Sequence, residues 1–462
     1  MINYRNKIRE FLRDEYNIVY NGDYYNEIAE DWDFYVGNAD WLTVKEWNGI
    51  KSFDRVRFSL NMAKKVCEDW ASILLNEKTK VMVDNEQEQE LLFGKEEVGG
   101  LIGKDFWDLQ NKLMEKTFAT GTGATLIRFT NVTEDGNTTA NSNIELHYID
   151  ARSIVPISQF NGDILEAAFL SVNGNEVIVE GHTLLDNGNY LIKNSFFEIT
   201  GNELKQVFKE DYPSEFISEI KLFHIVKPNL VNPLTDNGLG LSVISYLKDQ
   251  VKAVDLAYDN YVSDVALSKK LIFMKKDLLQ ADDKGNFRTP QAENQQLFMY
   301  VGDSMPNENP LVSEFNPTMR SAENASNVQS MLDYLSFRAG LGTRHYEFNG
   351  GGAITATQYV GDKQDLVQNA NKHYITIERY LNGLIIAISQ AYEVLGKGKT
   401  VDEVIITFDD SFILDEQTIL LEMRNDVIAG VLNPIKYLAR KYGITEEEAE
   451  SYLPKQETMM EI

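Results

Sequence analysis

Two stretches of this chain carry apolar residues at alternating steps of three and four, the spacing that lays them along one narrow stripe of an α-helix. The first stripe is Ile244, Leu247, Val251, Val254, Tyr258, Tyr261 and Val265, and the second is Ala325, Val328, Leu332, Leu335 and Ala339. Stripes this narrow predict helices that each need a partner helix to cover them. Between them, residues 270–319 read as charged strands and turns rather than as helix. The expected object is a helix pair with a small mixed module at its far end, a rod with a tip. That shape suits assembly better than enclosure of a substrate.

The pattern elsewhere divides the chain by period. Residues 1–118 read as mostly helical, most clearly over 58–76 and 106–118. From Gly121 the period falls to two, with strands expected at 124–129 and 144–149. Asn161-Gly162, Asn173-Gly174, Asn187-Gly188 and Gly201-Asn202 then separate short runs rich in Val, Ile, Leu and Phe. Asn-Gly between such runs signals tight hairpins, so this part is an antiparallel β region. Pro228, Pro233 and Gly238 punctuate the entry to the first rod helix, and Gly340 and Gly342 end the second. A long helix over 355–395 follows, with Ile377, Leu381, Leu384, Ile388, Ala391 and Leu395 on one face, and then a strand at 404–408. Short helices close the chain, marked by Asp415, Pro434, Gly443 and a capping box from Thr445 to Glu448. The fold class is α+β.

Composition narrows what such a chain can do. Its 462 residues suffice for two to four domains. Lys and Arg number 44 against 71 Asp and Glu, and 44 minus 71 gives a net charge of -27. A surface so acidic repels a phosphate backbone, which excludes tight non-specific nucleic-acid binding over most of it. One cluster departs from that balance: Lys269, Lys270, Lys275 and Lys276 gather where the first rod helix passes into the insert. On a single chain this is a solvated patch, but repeated around a ring it becomes a collar of positive charge in an acidic tube. Cys67 stands alone in an apolar-periodic run and reads as a small core residue. With no apolar leader at the N-terminus and no run near the roughly 20 apolar residues needed to span a bilayer, the protein is expected to be cytosolic where it is made, with no membrane partner.

No catalytic constellation emerges. Gly396-Lys397-Gly398-Lys399-Thr400 resembles the end of a phosphate-binding loop, but Glu393 stands where the motif needs its first glycine, and the order of strand and helix is reversed. Gly121-Thr122-Gly123 lacks the third glycine of a dinucleotide fingerprint and reads as a helix cap leading into a strand. The histidines at 147, 182, 224, 345 and 373 have no ligand spacing, so no metal site and no cofactor is expected. The triple glycine at 350–352 precedes a helix start. It reads as a flexible loop tip, and anion binding at the helix N-terminus is its other reading.

The order of these elements resembles the portal proteins of tailed bacteriophages, in particular those of Gram-positive siphophages. Asn61-Met-Ala-Lys-Lys-Val-Cys-Glu-Asp-Trp-Ala-Ser-Ile-Leu-Leu-Asn-Glu-Lys78 looks like the family's N-terminal helix. Gly238-Leu-Gly-Leu-Ser242, running on to Val254-Asp255 and Lys269-Lys-Leu-Ile-Phe273, looks like its entry into stem and clip. Gly350-Gly-Gly-Ala-Ile-Thr-Ala-Thr-Gln358 looks like the tunnel loop and the start of the helix after it. Ala429-Gly-Val-Leu-Asn-Pro434 to Gly443-Ile-Thr-Glu-Glu-Glu-Ala449 looks like the tail of the family.

The resemblance implies a wing over residues 1–239 and a stem helix over 240–268. It further implies a clip over 269–319, a second stem helix over 320–342 and a tunnel loop over 343–356. A long helix and strand (357–409) would return to the wing, and a reduced crown would follow over 410–462. It implies a homo-oligomeric ring, usually of twelve subunits, at one capsid vertex in the virion, assembled in the host cytoplasm. Double-stranded DNA would pass through it during packaging and ejection. Its implied partners are the major capsid protein, the terminase large subunit, a head-tail connector or adaptor and, in assembly, a scaffolding protein. ATP hydrolysis would come from the terminase, so the chain itself is not expected to be an enzyme. Tyr346, Glu347, Phe348, Asn349, Gly350, Gly351 and Gly352 are the implied DNA-facing loop, and the four lysines are candidates for weak phosphate contact. Ile244, Leu247, Val251, Val254, Tyr258, Leu332 and Leu335 are the stem packing positions, read as faces without partners in the chain that pack between subunits. Two other readings stay open: a phosphate- or nucleotide-binding enzyme using the loop near 350, and a non-viral coiled-coil scaffold.

Overall fold

The N-terminal part interleaves helices with short strands, because its helical periodicity is broken twice by β-branched and aromatic runs. The computed structural model describes residues 2–18, 22–47, 49–76, 78–95, 98–103, 105–133, 137–139, 141–201, 203–209, 213–268, 270–275, 298–301, 312–348, 356–408, 416–442 and 444–452. Helices α1 (Ile2–Tyr16) and α2 (Gly22–Val36) lead into a hairpin of β1 (Thr43–Trp47) and β2 (Ser52–Val56). Then come α3 (Met62–Leu74), β3 (Lys80–Val83), α4 (Glu86–Phe93), the short pair β4 (Gly94–Lys95) and β5 (Val98–Gly99), and α5 (Phe106–Thr120). The N-terminal part is mostly helical as expected, but the hairpin and β3 interrupt it where no strand was expected. Thr43, Val44 and Val56 favour a pleated strand over a helix, and four or five residues are too few to show a period.

The change of period after Gly121 marks a real boundary. Gly121 ends α5 in the left-handed region at φ 87°, its N–H donating to Thr117 O at 2.7 Å. Strands β6 (Gly123–Thr130) and β7 (Asn143–Asp150) pair antiparallel. A meander follows, formed by β8 (Ile154–Phe160), β9 (Asp163–Asn173), β10 (Glu176–Leu184), β11 (Tyr190–Thr200) and β12 (Glu203–Val207), with β13 (Glu215–Ser218) also paired to β11. The Asn161-Gly162 turn that joins β8 to β9 has both residues at positive φ, 52° and 84°, as a two-residue hairpin requires. Strand β14 (Phe223–Val226) adds to the free edge of β6.

Two cores result. Val155, Ala168, Val177, Val179 and Phe197 on one face of the meander pack with Ile8, Leu12 and Ile18 of the N-terminal segment. Ala167 and Phe169, the alternate residues of β9, face the other way into the main cluster. That cluster runs from α3 and α5 through the β14–β6–β7 sheet to the remaining long helices.

Those helices are α6 (Lys248–Leu267), α7 (Ser321–Arg338) and α8 (Ala356–Val394). Between α6 and α7 stands a three-stranded sheet in which β15 (Leu271–Lys275) pairs parallel with β16 (Phe298–Val301) and antiparallel with β17 (Val312–Phe315). At 39 residues α8 is about 58 Å long. Its buried Ile377, Leu381, Leu384, Ile388 and Ala391 lie in the core, and Gly383 lets it approach β14. A Cβ there would sit 3.0 Å from His224 Nδ1. Strand β18 (Val404–Thr407) returns to pair with β3. Helices α9 (Glu416–Ile428), α10 (Pro434–Tyr442) and α11 (Glu446–Ser451) pack on one another, and Thr445 accepts from the Glu448 N–H at 3.2 Å.

Candidate functional site

Helices α6 and α7 lie side by side and antiparallel. At the far end, Asp264 accepts from Asn324 Nδ2 at 2.9 Å and from the Arg320 N–H at 3.3 Å. At the near end the Arg338 guanidinium lies 5.5 Å from the centre of the Tyr246 ring. Val251, Val254, Leu332 and Leu335 are buried and Tyr258 is half-buried. Ile244 and Leu247 are buried too, but in the turn before α6 rather than in the helix, which begins at Lys248. The inner parts of the stripes are therefore covered inside one chain, by each other and by α3, while Val265 and Ala325 at the far end are exposed. This corrects the reading that the stem faces lack partners in the chain. One hairpin supplies both halves of the buried part of the seam.

Charged side chains tie the pair to the body. Arg55 of β2 grips Asp259 with two parallel hydrogen bonds, Nη1–Oδ1 at 2.7 Å and Nη2–Oδ2 at 2.8 Å, and also reaches Glu46 at 2.7 Å. The Phe58 N–H donates to Asp259 Oδ1 at 3.0 Å. One turn earlier, Asp255 accepts from Ser59 Oγ at 2.7 Å. Arg55 holds the Asp259 carboxyl below the usual carboxylate range. At the foot of α6, Lys248 meets Glu27 at 2.6 Å, Glu30 at 2.8 Å and Asp31 at 3.1 Å. Burial pushes Asp31 up to about 7 against the pull of Lys248.

The entry to α6 is built on a contact of two glycines. A Cβ on Gly121 would lie 2.4 Å from Gly240 O, and one on Gly240 would lie 2.2 Å from Gly121 O. Around this contact the segment before α6 caps α5: Ser242 Oγ donates to Ala119 O at 2.8 Å, and the Val243 N–H donates to Phe118 O at 3.0 Å. Tyr24 Oη closes the joint by donating to Gly240 O at 2.5 Å.

After α7 the chain is pinned as it approaches the glycine loop. Trp70 Nε1 donates to Ala339 O and Asn369 Nδ2 to Gly340 O, both at 3.1 Å. His345 Nε2 lies 3.4 Å from Asp69 Oδ2. Burial raises Asp69, but hydrogen bonds from His345, Lys65 and Tyr346 outweigh it and hold this carboxyl below its ordinary value. Burial and the Asp69 charge push the Tyr346 phenol up, so it stays neutral. Gln329 of α7 acts as a clamp: its Nε2 donates to Tyr346 O at 3.2 Å and to Asp333 Oδ1 at 2.9 Å. Its Oε1 accepts from the Phe348 N–H at 3.3 Å.

The model of the phage portal protein, SPP1 Gp6-like family matches residues 14–461 of the 462. The chain belongs to that family. It is accordingly a structural protein of the phage particle. Two solved structures are weakly similar to this portal chain. One is the neck of a native GTA particle computed with C12 symmetry, at 13% identity and a TM-score of 0.36, covering 83% of this chain and 89% of that one. The other is the neck of an empty GTA particle computed with C6 symmetry, at 12% identity and a TM-score of 0.35, covering 83% and 88%. No curated protein matches.

The portal chain places the expected site residues unevenly. Tyr346 is half-buried, whereas Glu347 and Phe348 are exposed, Phe348 at 74%. Asn349, Gly350, Gly351 and Gly352 lie outside the described residues, as do Lys269 and Lys276. Lys270 is exposed and paired with Glu314 at 2.6 Å, and Lys275 ends β15. Among the described residues, no grouping of His, Cys, Asp and Glu could hold a metal ion, and no helix is long and apolar enough to cross a membrane. The Gly396 run turns from α8 toward β18, and the hydroxyl and N–H of Thr400 are satisfied by Glu393. Sequence reading missed Gln329, Arg55 and Asp259. Gln329 and Asp333 stand four residues apart on one helix, a spacing that could have flagged the first.

Proposed function

We propose that this portal chain forms a ring of about twelve subunits at a single capsid vertex and serves there as the channel for double-stranded DNA. The family match across nearly the whole chain carries this reading. On it, α6 and α7 are the stem, the β15–β16–β17 sheet belongs to the clip, residues 343–356 are the tunnel loop, and α9–α11 are the crown. The pinned segment before residue 349 supports the loop assignment: Trp70 and Asn369 hold the chain just before the loop, and Gln329 holds its first residues. The net charge of -27 suits a conduit, since a wall that attracted phosphate would retain its cargo. Trp47, Val56, Tyr334 and Phe337 are exposed on a single chain and offer apolar surface to a neighbouring subunit.

The chain acts as passage and docking platform, with terminase supplying ATP hydrolysis during packaging and an adaptor replacing it afterwards. The lysines at the entry to the clip make weak phosphate contact, Lys270 less than the others because Glu314 neutralises it. Deleting Gly350, Gly351 and Gly352 in the assembled particle tests the loop. Rings should still form, while packaged DNA per particle, or its retention, falls several-fold. Unchanged packaging and retention would refute the assignment.

A further inference from the structure

Where the turn between β8 and β9, the chain around β14 and the middle of α8 converge, they enclose two adjoining cavities of about 290 and 620 Å³. The smaller is faced by Lys221, Lys227 and Arg379 against the single carboxylate of Asp163, and Asp236 lines the larger. Cations prevail in the smaller cavity, in a chain whose sum is -27, whereas the larger sets Lys227 against Asp163 and Asp236. Arg379 and Asp163 are exposed at the mouth, 3.5 Å apart. Behind them the two lysines are half-buried, and no carboxylate of the described residues lies within 4.0 Å of either ammonium.

Their acceptors are neutral. Lys227 Nζ donates to Gly162 O at 2.6 Å and Gly238 O at 3.1 Å, which ties two loops together. Lys221 Nζ donates to Ile164 O at 3.3 Å and sits 4.4 Å from the centre of the Phe223 ring. An ammonium carries three donors, so Lys221 keeps two and Lys227 one. Burial lowers both lysines, the mark of cations taken from water without a full counter-charge. His224, held down to about 3 by burial, is neutral and adds no charge.

We propose that this cavity binds a small oxyanion of the phosphate class, held by the free donors of Lys221 and Lys227 and admitted past Arg379. The same chemistry is offered by free phosphate and by a nucleic-acid backbone. The recess of the lysines behind Arg379 and Asp163 selects the free ion, because a duplex cannot enter to meet them.

Thermal unfolding of the full chain decides it, in inorganic phosphate against chloride of equal ionic strength, with a short DNA duplex as a third arm. A ligand that binds only the folded state raises the midpoint. The midpoint should rise saturably with phosphate alone, and Lys221→Met, which keeps the apolar stem over Phe223, should abolish the rise. Arg379→Gln, at the exposed mouth, should raise the phosphate needed for half the effect about fivefold. Equal midpoints in phosphate and chloride would overturn the site, as would an equal response of the wild type and Lys221→Met. A shift with the duplex but not with phosphate would also contradict it.

Discussion

Single side chains hold the helical pair to the body, and their energetics follow from burial. The Asp259 side chain is 4% exposed, and Arg55 is its counter-charge. Arg55→Met should therefore cost about 3 kcal/mol in denaturant unfolding, since it leaves a buried carboxylate unpaired. A loss below about 1 kcal/mol would show that the pair is no more than a surface bridge. Lys248 invites a pH-resolved test. Asp31 has a folded pKa raised to about 7, above its unfolded value of 3.8, so the native state keeps a proton that the unfolded state has lost. Stability from this group accordingly falls as pH rises from about 4 to about 7. With Lys248→Met the ionised Asp31 loses its partner, so the variant should lose more stability at pH 8 than at pH 5. An equal loss at both values would separate Asp31 from Lys248. None of these pairings was legible in the sequence. Asp259 and Arg55 are 204 residues apart, and nothing local in a Ser-Phe-Asp-Arg-Val strand names a partner on a distant helix.

At the scale of elements, the joint between α5 and the entry to α6 has no room for a side chain. Gly121→Ala should cost more than about 3 kcal/mol, because it adds a Cβ 2.4 Å from Gly240 O to the strain of a left-handed backbone. Gly174→Ala is the control: its φ is also positive, at 60°, but the space is open, so the cost should stay near 1 kcal/mol. Gln329→Ala should leave global stability almost unchanged while hydrogen exchange at Phe348 speeds up at least tenfold, because its clamp is a local closure. Unchanged exchange would remove Gln329 from the account. Elements of strong period were readable from sequence: α8, the meander with its Asn-Gly turns, α7 and the strand at 404–407 all stand where the pattern put them. The β1–β2 hairpin was not, since Lys45, Glu46, Asp54 and Arg55 break its apolar alternation. Ile244 and Leu247, read as part of the first helical stripe, stand before α6, because a buried turn keeps the apolar spacing of a helix.

At the scale of the molecule, the sequence carried the family through the order of its segments, and the family match extends that order over residues 14–461. The helix pair covers the inner part of its own seam, so the stem alone does not demand a ring. The demand comes from what one chain leaves bare, including Trp47 at 65%, Phe337 at 60% and Tyr334 at 65% exposure. Substituting Phe337 and Trp47 together by Ser should leave the monomer folded and weaken assembly. The central claim is the ring itself, and end-on electron microscopy of the purified chain tests it most directly. The account predicts closed rings of about a dozen subunits around an open channel. A particle that stays monomeric or dimeric at every concentration would contradict it.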